Sequence, residues 1–85
     1  MDANLDYNRI IWASRRGMLE LDLVLEPFVR NAYRDLSSED QARYRALLEC
    51  EDQELFGWFL GRLRPEDAEL AKIVDTVLAF THRKA

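Results

Sequence analysis

The 85-residue chain suffices for one domain, residues 1–85, around one hydrophobic core, and at 48% hydrophobic and 33% charged it should fold rather than stay disordered. Three glycines and two prolines leave little material for hairpins, so the expected fold is all-α, a small bundle of about five mostly antiparallel helices. A formal net charge of −4 argues against nucleic acid as the main partner, and apolar runs of no more than four residues are too short for a membrane span.

Residues 5–14 read as the first helix. Tyr7, Ile10, Ile11 and Ser14 recur at three- and four-residue spacing and give it one apolar face. Trp12 falls off that stripe and is assigned to the core, with a partner surface as the alternative. Ser14-Arg15-Arg16 reads as a turn in which Ser14 caps the second helix. That helix runs to about Tyr33 and buries Met18, Leu21, Leu25, Phe28, Val29 and Ala32. Arg16 and Glu20, four apart, then share the opposite face, with Leu23 beside them and Leu19 at its edge. As an exposed pair, each should contribute under about 1 kcal/mol of stability. Pro27 has no amide to give Leu23, so a kink or break is expected near Glu26.

Gly17 lies next to this pair. Three readings are open: a tolerated helical glycine, a bare patch for close approach of a partner, or a positive φ at the turn. The second is preferred, because Gly17 neighbours the outward Arg16 and Glu20.

Helix three starts after Leu36, with Ser37 or Ser38 as its cap, and runs to about Glu49, turning Tyr44, Leu47 and Leu48 inward. Asp52 is expected to cap a short fourth helix, apolar nearly all round through Leu55, Phe56, Trp58, Phe59 and Leu60. Gly61 should end it in the left-handed conformation. A fifth helix should start with Pro65 in its first position and carry Leu70, Ile73, Val74, Val77, Leu78 and Thr81 on its inner face. Residues 35–56 hold seven acidic residues against two arginines, read as a solvated face that could help choose a basic partner.

Chemistry is sparse. The single Cys50 excludes an internal disulfide and fits a reducing compartment, and no signal segment is visible, so the expected location is the bacterial cytoplasm. One His and one Cys form no nucleophile–base pair, and no glycine-rich phosphate loop is present. The expectation is a binding protein, not an enzyme, with no metal and no tightly bound cofactor.

The segment Arg16-Gly17-Met18-Leu19-Glu20-Leu21-Asp22 resembles the signature of the SdhE/YgfY family, small helical factors that assist covalent attachment of FAD to succinate dehydrogenase and fumarate reductase. A second segment, Asp52-Gln53-Glu54-Leu55-Phe56-Gly57-Trp58-Phe59-Leu60, is similar to the family's Asp-x-Glu-Leu…Trp-Leu region, with Phe59 in place of Leu. The chain is expected to be a monomer, and the resemblance implies an assembly factor whose partner is the flavoprotein subunit of either enzyme, the FAD being the client's. It implies contact through Arg16, Gly17 and Glu20, with Leu19, Asp22 and Leu23 beside them. The competing expectations are a regulatory, antitoxin-like inhibitory module and, against the charge of helix two, a helical nucleic-acid binder.

Overall fold

The computed structural model describes residues 3–84. The chain forms α1 (Ala3–Ala13), α2 (Leu19–Asn31), a 3-10 turn (Tyr33–Asp35), α3 (Ser38–Leu47), α4 (Asp52–Phe59) and α5 (Ala68–Lys84). No strand occurs among the described residues, and no helix among them is long and apolar enough to cross a membrane.

The bundle is assembled on α2. Leu21, Leu25, Phe28 and Val29 are buried as the periodicity predicts, Val24 joins them, and Met18 and Ala32 are only half-buried. Tyr44 and Leu47 of α3, Leu55 and Phe59 of α4, and Ile73, Val74 and Val77 of α5 close the core around that stripe. Each such side chain contributes roughly 1.5–3 kcal/mol by leaving water. The amphipathic α1 packs across α2 through Tyr7, Ile10 and Ile11. The Tyr7 hydroxyl donates to the Val29 carbonyl at 2.9 Å and fastens the two helices.

Several helix boundaries differ from the sequence reading. Helix α2 begins only at Leu19, so residues 14–18 form a connecting loop. At its other end α2 continues unbroken through Pro27 to Asn31. The carbonyl that Pro27 leaves unpaired belongs to Leu23, an exposed residue that water can serve. Helix α4 is capped by Glu51 rather than Asp52: Glu51 and Glu54 form a reciprocal box, with the Glu51 amide donating to Glu54 Oε1 at 3.1 Å. Ser37 caps α3 as expected, accepting from the Asp40 amide. Pro65 is buried upstream of α5, and the first-turn amides of Glu69 and Leu70 donate to Asp67 Oδ1.

The end of α4 also departs from expectation. Arg62, not Gly61, takes the left-handed conformation, with φ 65°. Gly61 is needed for space, since a Cβ there would lie 3.1 Å from the backbone of Gly57. The two glycines therefore mark a backbone close approach.

Candidate functional site

The site is built on the loop between α1 and α2. Ser14, predicted to cap α2, instead closes α1 and is fully buried. Its hydroxyl donates to the Ile10 carbonyl at 2.8 Å, which leaves the Tyr44 hydroxyl, 2.7 Å away, to donate to Ser14. Burial pushes the Tyr44 phenol well above its ordinary range, and the Ser14 hydrogen bond offsets part of that, so Tyr44 is a neutral structural hydroxyl. This buried pair fixes where the loop leaves the bundle.

Arg16 is not the outward partner of Glu20. It precedes α2, so the four-residue spacing does not place the two on one helical face. Its guanidinium turns inward as a clasp. Arg16 Nε donates to Asp52 Oδ1 at 2.7 Å, Nη1 to the Ala13 and Leu48 carbonyls at 3.0 Å each, and Nη2 to the Cys50 carbonyl at 2.9 Å. The ends of α1 and α3 and the start of α4 thereby meet on one side chain. The planar fork of arginine suits this role, because its donors reach several acceptors at once. The two motif segments, 36 residues apart in sequence, are joined here.

Asp22, half-buried on α2, accepts from the Arg16 backbone amide at 2.8 Å. It positions the loop and is not a free surface carboxylate. Gly17 follows with φ +80°, so the third of its three readings is the conformation adopted, and a helical Gly17 is excluded. A Cβ at Gly17 would meet nothing within 4 Å, so the position is also open to solvent. Met18 enters α2 as an N-cap without a side-chain bond, which leaves the turn dependent on Asp22 and Arg16.

Beyond this turn, Leu19 and Leu23 are 69% and 65% exposed, one helical turn apart on the face of α2 away from the core. Glu20 is exposed between them, and its side chain makes no ion pair or hydrogen bond among the described residues. Trp12 is 69% exposed, contrary to its assignment to the core, with the Arg15 guanidinium 5.3 Å from its ring centroid. Of the six predicted residues, Gly17, Leu19, Glu20 and Leu23 face solvent, while Arg16 and Asp22 hold the loop that carries Gly17 and leads into α2. Asp52 was missed as Arg16's partner; its place at the head of the second motif was the only signal.

No other chemistry competes at this surface. Among the described residues no cluster of His, Cys, Asp or Glu could hold a metal ion. Cys50 is half-buried, and burial, helped by the nearby Glu54, raises its thiol above the ordinary range. It is therefore not an activated thiolate. His82 is exposed.

A family model described as "flavinator of succinate dehydrogenase" matches residues 8–81 of the chain. A FAD assembly factor SdhE of Pseudomonas aeruginosa is 58% identical over 73 residues, covering 86% of this chain and 87% of the relative. The protein of the same name from Shewanella oneidensis is 58% identical over 69 residues, covering 81% and 84% respectively. The solution structure of a UPF0350 protein, 42% identical in sequence, superposes with a TM-score of 0.77 over 99% of this chain and 89% of its own.

Proposed function

The chain belongs to the Sdh5 family, flavinators of succinate dehydrogenase, and from that premise we propose that it is a FAD assembly factor. It binds the flavoprotein subunit of succinate dehydrogenase, and of fumarate reductase where that enzyme is present, and promotes covalent attachment of the client's FAD. The chain acts as a monomer in the bacterial cytoplasm, holds no FAD tightly itself, and is not the catalyst. The client supplies the attacking side chain. The factor acts by binding one client conformation better than another, and the affinity difference sets how far the client is shifted.

The observation behind this reading is the open turn at Gly17, clasped from behind by Arg16 and Asp22 and followed by exposed Leu19, Glu20 and Leu23. Exposed apolar side chains beside an uncommitted carboxylate, at the start of a helix whose entry loop is ordered by several hydrogen bonds, suit docking to a protein surface. The loop is ordered before the partner arrives, so little entropy remains to be lost on binding. In this reading Gly17, Leu19, Glu20 and Leu23 touch the client, and Arg16 and Asp22 act through the loop. An inhibitory module is not favoured, since the named relatives are assembly factors.

The test is covalent flavin fluorescence of the flavoprotein subunit, run with the wild-type chain and with Glu20→Ala and Leu19→Ser/Leu23→Ser. Loss of flavin attachment by variants that melt like wild type supports the assignment. Full activity from all of them removes this surface from the function.

A further inference from the structure

We propose that a second surface, a basic groove where α1, the 3-10 turn and α3 converge, receives an acidic peptide segment of a partner protein. Under the function proposed above, on which the partner's identity rests, that segment belongs to the client flavoprotein.

The groove encloses about 770 Å³, within the range of ligand-binding clefts. Arg9 of α1, Arg34 of the 3-10 turn and Arg45 of α3 line it, with Asp6 as the only carboxylate. The chain as a whole carries a net charge of −4, so three arginines against one acid make a local reversal of sign. None of the three pairs with a carboxylate among the described residues, whereas Arg16, Arg30, Arg43 and Arg64 all do.

Two of these arginines are nevertheless held in place. The Arg34 guanidinium lies 4.5 Å from the centroid of the Tyr7 ring, and Arg45 Nη1 donates to the Tyr33 hydroxyl at 2.9 Å. Tyr7 and Tyr33 are themselves stacked, with centroids 6.3 Å apart, and the Tyr7 hydroxyl is anchored on α2. Neutral aromatic partners orient a guanidinium without neutralising it, and leave its remaining N–H groups for an incoming oxygen. Arg9 makes no side-chain hydrogen bond or ion pair among the described residues.

The chemistry selects carboxylates on a chain over a small phosphate compound. The three arginines come from three separate elements, so they form an array along the groove. No glycine-rich turn offers backbone amides to a phosphate there. The aromatic faces that could stack on a base are engaged by Arg34 and by each other. Ile10 adds an apolar strip to the lining, which fits an acidic segment carrying an apolar side chain. Exposed charges of this kind act mainly on association rate and its salt dependence.

The experiment uses two probes against the wild-type chain, Arg9→Glu and Arg9→Glu/Arg34→Glu. One is the purified flavoprotein subunit, followed by surface plasmon resonance at low and high salt. The other is a fluorescein-labelled peptide alternating Glu and Leu, followed by anisotropy. Arg9→Glu breaks no hydrogen bond or ion pair among the described residues, so it tests the groove even if the double variant misfolds, and melts of both variants serve as controls. The expected result is client association slowed on the order of tenfold in the double variant, with a flattened salt dependence, and peptide binding lost in parallel. Unchanged client association and unchanged peptide binding would overturn the proposal. So would a groove that prefers inorganic phosphate or an adenine nucleotide as competitor over the peptide. If the wild-type chain does not bind the client, the proposed function fails, and charge-sensitive peptide binding then decides the groove independently.

Discussion

Arg16→Ala puts the clasp to the sharpest test. An exposed arginine in an ion pair contributes under about 1 kcal/mol, and its loss would hardly move a melt. The geometry calls for more. The substitution removes four side-chain hydrogen bonds, three of them to the carbonyls of Ala13, Leu48 and Cys50. The Ala13 carbonyl is exposed and rehydrates. Those of Leu48 and Cys50 sit in part-buried positions, and each should cost roughly 1–1.5 kcal/mol when its charged donor is lost. Asp52 is wet enough to be re-solvated and adds little. The sum is about 2–3 kcal/mol, which for a domain of this size lowers Tm by roughly 10–20 °C. Circular dichroism melts at neutral pH measure it. Arg16→Lys should recover less than half, because an ammonium cannot reach Asp52 and the backbone carbonyls together. A fall in Tm of less than about 4 °C for Arg16→Ala would refute the clasp and return Arg16 to the surface.

Gly17→Ala should destabilise the fold by about 1 kcal/mol, purely through strain at positive φ, because its Cβ meets no atom; a melt that rises instead would mean a helical Gly17. Gly17→Arg should carry the same strain, remain folded, and lose affinity for the flavoprotein subunit, read by surface plasmon resonance. Gly61→Ala should cost more than about 1 kcal/mol, since its Cβ would press on the Gly57 backbone, whereas Gly57→Ala meets only the movable end of exposed Leu63 and should be milder; equal melts for the two would contradict this contrast. Glu69 and Asp75 titrate below the ordinary carboxylate range, Glu69 through Arg43 and Lys72 and Asp75 through Arg64. The unfolded chain therefore binds protons first as pH falls, so stability present above the ordinary carboxylate range is lost on acidification. Glu69→Gln should lower Tm slightly at pH 7, with the deficit shrinking as acid protonates the folded carboxylate, and a deficit that does not shrink on acidification would mean that the ion pair is not its cause.

The fold was legible because local rules and the global packing agree. The stripe of Leu21, Leu25, Phe28 and Val29 follows helical periodicity, and burying that stripe is the main gain on folding, so the sequence alone identified the buried face of α2. The same holds for Ile73, Val74 and Val77 on α5 and for the Ser37 cap of α3. Glu20 and Leu23 were likewise placed on the outside by pattern alone, with Leu19 at the edge of that face. What pattern could not decide was the start of α2 and everything that depends on it. A helix beginning at residue 15 and one beginning at Leu19 bury nearly the same side chains, so periodicity does not distinguish them. The choice falls to contacts distant in sequence: the Ser14 hydroxyl against Tyr44, and the Arg16 guanidinium against Asp52 and the Leu48 and Cys50 carbonyls. Those partners lie 30 to 36 residues away, and their bonds exist only after α3 and α4 have docked. Arg16 and Glu20 therefore read as a helical pair in one dimension, while tertiary packing turns the first into a fastening of the core and leaves the second free at the surface.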